Sequence, residues 1–133
     1  MSETYTPTVM IVEDTHYIGE LAALILKRIG IETELCLSAE EAIQHMEQTT
    51  LPDLIVLDIG MPGMSGWEFL DIIKAYEDTK MIPVVITTAY SDAANRLIGR
   101  LREVDRYLTK PYKPNELQSI VSQILKDRGW QIT

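Results

Sequence analysis

The stretch LIVLDIGMPG, residues 54–63, decides the fold. Four apolar residues in succession lead to a carboxylate, Asp58, and a Gly and a Pro soon follow. An apolar run without alternation suits a strand covered on both faces, as in a parallel sheet. A carboxylate at the end of such a strand is costly unless it is partnered or used.

Working outward, TVMIV (8–12) and VVIT (84–87) are runs of the same kind. ETELC (32–36) and RYLT (106–109) are weaker strand candidates. Pro52 and Pro83 stand just before two of the runs, where a missing N–H does little harm. The intervening segments carry helical periodicity. Ile18, Leu21, Ala22, Ile25 and Ile29 share one helix face, and Gly30 stops it. Ser38 with Glu41, and Ser65 with Glu68, fit capping boxes. The second precedes Phe69, Leu70, Ile73 and Tyr76. Ser91 caps a fourth helix whose face is Ala94, Leu97, Ile98 and Leu101. Pro114 opens a fifth, with Leu117, Ile120, Val121, Ile124 and Leu125. Strand and helix alternate five times. Right-handed crossovers then predict an α/β fold, a doubly wound five-stranded parallel sheet with five helices on both faces.

A length of 133 residues fits one domain with one core. Twenty acidic residues against 12 basic ones leave a net charge of −8, which argues against direct nucleic-acid binding. Cys36 is alone, so the chain holds neither a disulfide framework nor a thiolate metal site. The amino terminus lacks a basic flank and a long apolar run, and no window approaches a membrane span. These features predict a cytoplasmic protein without membrane contact.

In doubly wound sheets the working groups lie beyond the carboxyl ends of the strands. Glu13 and Asp14 follow the first strand, Asp58 closes the third, Thr88 the fourth and Lys110 the fifth. Three carboxylates about 5 Å apart repel pairwise by about 3 kcal/mol at an effective dielectric near 20. A bound cation relieves this, and a few hard oxygen ligands suit Mg²⁺, with Mn²⁺ as the alternative ion. With Lys110 beside it, Asp58 is prepared to attack phosphorus and form an acyl phosphate. Thr88 can donate a hydrogen bond to a phosphoryl oxygen.

These residues, in VMIVEDT, DLIVLDIGMPGMSGWEF, PVVITTAY and YLTKPY, resemble the receiver domain of two-component response regulators, of the single-domain chemotaxis-regulator type. The resemblance covers essentially the whole chain. It implies the flavodoxin-like strand order 2-1-3-4-5 and one receiver domain over 1–133, with its core at about 8–127 and no output domain. Asp58 matches the phosphoacceptor, Asp14 the direct Mg²⁺ ligand, and Glu13 the acid that holds the ion through water. Gly60 matches the residue whose backbone carbonyl completes the protein ligands. Thr88 and Tyr107 match the switch pair. Lys110 matches the phosphate-binding lysine, with a cis bond between Lys110 and Pro111. Two departures stand out: Glu103-Val104 replaces a frequent Gly-Ala, so the fourth helix is expected to end differently, and Glu13 replaces a frequent Asp.

The implied function is a phosphorylation-controlled signalling switch, not an enzyme acting on other substrates. A histidine kinase or histidine phosphotransfer protein docks near the first helix and passes a phosphoryl group to Asp58. The face of the fourth helix, fifth strand and fifth helix then changes to control a separate downstream protein. Arg96, Arg100, Arg102 and Arg106 cluster on that face. They read either as a solvated surface or as a contact for an acidic partner or a second copy of the domain. Three rival readings are a pseudo-receiver scaffold that is never phosphorylated, a flavodoxin-like FMN binder and an aspartyl phosphatase. The acids after the first strand repel an unmetallated phosphate, which disfavours FMN, and VEDT lacks the Asp-x-Asp of the phosphatases. His16 and His45 read as surface residues, and Trp130 as a residue that folds the tail back onto the domain.

Overall fold

The computed structural model describes residues 6–89, 104 and 106–132. The elements are β1 (Thr8–Val12), α1 (His16–Lys27), β2 (Glu32–Cys36), α2 (Ala39–Gln48), β3 (Leu54–Asp58), α3 (Gly66–Ala75), β4 (Val84–Thr88), β5 (Arg106–Thr109) and α4 (Pro114–Asp127). The fourth helix read from the sequence, with Arg96, Arg100, Arg102 and Glu103, lies outside the described residues, so α4 is the helix that Pro114 opens.

All five strands are parallel, in the order β2-β1-β3-β4-β5. Every residue of β3 and β4 is buried, because helices cover both faces of the sheet. The twofold period of a strand divides the core in two. Met10, Val12, Ile55, Leu57 and Ile86 pack with Phe69 and Ile73 on the α2–α3 side. Val9, Ile11, Leu54, Val56 and Val85 pack with Leu26, Leu117 and Val121 on the α1–α4 side. Val12 is opposite Leu57 and Leu57 opposite Ile86, so the carboxyl ends of the three central strands are level. That register brings the polar residues following each strand to one edge.

The helix starts are encoded locally, with a twist at both capping boxes. Ser38 accepts the Glu41 amide at 3.0 Å, but the Glu41 carboxylate accepts from Leu37 N–H rather than from Ser38. Ser65 accepts the Glu68 amide at 3.1 Å, and its hydroxyl meets the Glu68 carboxylate instead of leaving it to the backbone. In α4, Pro114 stands in the first turn and the Glu116 carboxylate accepts from Lys113 N–H at 2.8 Å. Gly30 follows α1 with φ of 82°, a left-handed position that suits glycine.

Three side chains depart from the expected pattern. Leu21 is 56% exposed, because Ala22, Ile25 and Leu26 turn the α1 stripe towards the sheet and leave position 21 beside it. Tyr76 is 65% exposed at the extended C-cap of α3, one residue past the end of the helix whose periodicity it continues. His45 is half-buried and pairs with Glu34, tying α2 to the edge strand β2. His16 is exposed and faces Glu20 one turn on. Trp130 and Ile132 pack against the α1–α4 core, so the tail does fold back.

Cys36 is buried at the end of β2, and burial, helped by Glu41 and Glu34, pushes its thiol up to about 11. The thiolate is the reactive form. Native protein at neutral pH is therefore expected to react with a disulfide reagent at least about tenfold more slowly than the urea-unfolded chain, read by thiol titration over time.

Candidate functional site

The site is built where β1, β3 and β5 end. Glu13 continues the ladder, its amide donating to Cys36 O at 3.0 Å, and its carboxylate accepts from Thr15 N–H at 3.2 Å. Asp14 is exposed, whereas Glu13 and Asp58 are buried. Ile59 N–H bonds to Thr87 O at 3.1 Å and holds the chain straight just past Asp58. Gly60 N–H donates to Asp58 Oδ1 at 2.9 Å, which stops the carboxylate from turning. Lys110 N–H bonds to Thr88 O at 2.7 Å, fixing the lysine to the end of β4. The Lys110–Pro111 bond is cis.

Glu13, Asp14 and Asp58 each offer a carboxylate oxygen, and these oxygens lie within 4.8 Å of one another. The ammonium of Lys110 pairs with Glu13 Oε1 and lies 3.5 Å from Asp58 Oδ2. Among the described residues, three carboxylates thus gather where a single ammonium, that of Lys110, pairs with two of them. The surplus of negative charge and the all-oxygen donor set fit a divalent hard cation, and the exposure of Asp14 leaves room for waters on the ion. Thr88 is fully buried at the same edge, in register with Thr109. Tyr107 is half-buried and packs against the α2–α3 core. Arg106 is exposed at the start of β5; the three other arginines of its cluster lie outside the described residues.

Burial raises the Glu13 carboxyl above its ordinary value of 4.5, and the charge of Asp58 adds to this, while Lys110 and Thr15 N–H pull it back. A carboxyl raised in the folded state contributes stability that is complete below its unfolded pKa and is lost as pH rises through its folded pKa. Metal-free Glu13→Gln is expected to gain stability relative to the parent as pH rises above 4.5 and to level off once Glu13 is fully ionised. Urea melts of the two proteins across this range check it.

Tyr112 belongs to the surroundings of the site and was missed in the sequence. Its phenol is pushed up by burial and then by the charges of Glu13 and Asp58. The available signal was its place two residues after Lys110 in YLTKPY. With Ile18, Leu21, Lys110 and Pro111 it lines a groove of about 400 Å³ between α1 and the β5–α4 loop.

This arrangement, five parallel strands with a buried acidic pocket and a lysine at their carboxyl edge, defines a family. A family model described as the response regulator receiver domain matches residues 9–122. The chain belongs to that family, whose members are signalling domains of two-component systems. The transcriptional regulatory protein YvrH of Bacillus subtilis is 38% identical over 120 residues, 90% of this chain and 49% of the relative. The phosphate regulon transcriptional regulatory protein PhoB of Pseudomonas aeruginosa is 36% identical over 124 residues, 92% of this chain and 53% of the relative. The chain therefore spans about half the length of these curated relatives. The crystal structure of the signal receiver domain of a signal transduction histidine kinase from Syntrophus aciditrophicus superposes with a TM-score of 0.86 at 31% identity, covering 95% of each chain. No helix among the described residues is long and apolar enough to cross a membrane.

Proposed function

We propose that this domain accepts a phosphoryl group from a phosphohistidine onto Asp58 and works as a cytoplasmic switch. The observation that carries the reading is the meeting of Glu13, Asp14 and Asp58 within 4.8 Å, with Lys110 3.5 Å from Asp58 Oδ2. Glu13, Asp14, Asp58 and the Gly60 carbonyl would hold Mg²⁺, which supplies charge neutralisation for the incoming phosphoryl oxygens when bound. An Asp58 oxygen attacks phosphorus in line; the new O–P bond forms as the P–N bond breaks, and its electron pair returns to the imidazole. Gly60 N–H orients the attacking carboxylate. Lys110 turns from the carboxylates to a phosphoryl oxygen, and the Thr88 hydroxyl donates to another. Tyr107 then adjusts beside Thr88 and transmits the change along β5. A differential interaction of a few kcal/mol suffices to shift such a two-state equilibrium.

The donor, a histidine kinase or phosphotransfer protein, docks on α1. Tyr17, Leu21 and Leu24 are exposed apolar residues of this helix, and Leu21 borders the groove that reaches Lys110. The output partner is a separate protein or a second copy meeting the β5 side, where Arg106 is exposed.

Incubation with acetyl phosphate and Mg²⁺ tests the proposal. Intact mass is expected to show one added phosphoryl group, released by hydroxylamine and absent when EDTA is present. Protein that stays unmodified with Mg²⁺ and donor in excess would instead be a scaffold, and the proposal would fall.

A further inference from the structure

A second groove of about 440 Å³ lies between α2 and α3. Both helices run back along the sheet, so their last turns stand at the amino end of β3, opposite the edge that holds Asp58. Met46 and Leu51 form one apolar side, Ile72 and Tyr76 the other. Two carboxylates interrupt this lining, Glu47 from α2 and Asp78 from the turn after α3, and among the described residues the lining contains no basic side chain. The neighbouring Lys80 is paired with Glu77 at 2.9 Å, and Lys74 is turned to Lys80 O at 3.4 Å. Tyr76 is 65% exposed and Met81, close by in sequence, 67%.

We propose that this groove docks a basic, apolar segment of a partner protein: a large aliphatic or aromatic side chain seated between α2 and α3, with flanking Lys or Arg on Glu47 and Asp78. The pairing of an apolar trough with carboxylates on both walls supplies the complementarity, since opposite potentials steer and register such contacts. An isologous contact with a second copy would set these carboxylates against their equals, which disfavours self-association here. The groove is remote from the acidic edge, so engagement is independent of Mg²⁺ and of Asp58 chemistry. It can tether a partner before and after phosphoryl transfer.

The test is amide and methyl NMR of the full chain titrated with a Lys-Lys-Leu-Trp-Lys-Lys peptide, acetylated and amidated. The expected shifts centre on Met46, Leu51, Ile72 and Tyr76, with or without Mg²⁺. Glu47→Lys with Asp78→Lys is expected to weaken binding at least about tenfold. Glu32→Lys with Asp127→Lys makes the same change of net charge elsewhere and is expected to leave affinity within about twofold. Equal losses in the two pairs, or shifts spread over the whole surface, would reduce the effect to a general attraction of an acidic protein and overturn the proposal. Concentration-dependent shifts of the same signals without peptide would assign the groove to a second copy and overturn it equally. Thermal melts of both double variants confirm that they fold. A domain that accepts no phosphoryl group but binds this peptide refutes the switch and leaves the groove standing.

Discussion

Asp58→Asn is expected to abolish phosphoryl uptake from acetyl phosphate completely, with no mass increase under conditions that label the parent to completion. The amide keeps the shape of the carboxylate and still offers Gly60 N–H an oxygen to bond, so the β3–α3 loop keeps its geometry. What it lacks is the proposed nucleophile and one of three charges. Losing one member of the acidic trio also relieves repulsion that is about 3 kcal/mol per pair at this spacing and an effective dielectric near 20. Part of that relief is offset by the lost attraction to Lys110, 3.5 Å from Asp58 Oδ2. The thermal midpoint of the metal-free variant is therefore expected at or above that of the parent, and Mg²⁺ is expected to bind at least about tenfold more weakly by calorimetry. A phosphorylated Asp58→Asn protein would move the acceptor elsewhere. A variant that melts far below the parent would show Asp58 to be a structural carboxylate, such as a turn cap.

Gly66→Ala carries the second large effect. A Cβ at this position would lie 2.5 Å from the Ile59 Cα and 2.9 Å from the Asp58 carbonyl oxygen. Both obstacles are backbone, so they cannot swing aside as a flexible side chain can. The first turn of α3 must retreat or the strand end must yield, at a cost of about 1–3 kcal/mol. Either response shifts Asp58 against Lys110 and the acids of β1. Misplacement of about 1 Å costs on the order of 10²-fold in reactions that depend on alignment. The expected result is a lower urea midpoint together with phosphoryl uptake slowed by at least about tenfold. Ser65→Ala distinguishes alignment from simple destabilisation. It removes the hydroxyl that accepts Glu68 N–H, costs about 1 kcal/mol, and leaves the uptake rate nearly unchanged. Equal slowing in the two variants would place the effect in helix stability alone.

The parallel sheet was legible because its strands are short apolar runs bounded by Pro, Gly and acids, and a central strand tolerates little else. Leu54–Asp58 and Val84–Thr88 were readable for that reason, and their buried neighbours bear it out. Helix faces were less legible at their margins. Leu21 fits the 3.6-residue stripe of α1 as well as Ala22 does, yet only one of them meets the sheet. Tyr76 continues the α3 periodicity, but the backbone leaves the helix just there and the ring faces solvent. At both capping boxes the Ser half was readable and the Glu half was not. The Glu side chain chooses among several donors within reach, and that choice depends on the approach angle of the chain.

Residue order along the chain was enough to determine the strand and helix alternation of the described elements and the carboxyl-edge location of Glu13, Asp14, Asp58, Thr88 and Lys110. These follow from period and adjacency, which are local properties. Tertiary structure alone decided that Lys110 clasps Glu13 while facing Asp58, that Tyr112 stands within the field of the acids, and that a carboxylate-lined groove opens between α2 and α3. Each depends on side chains far apart in sequence meeting at distances of a few ångströms. Strand register and helix docking set those distances, and no local pattern encodes them.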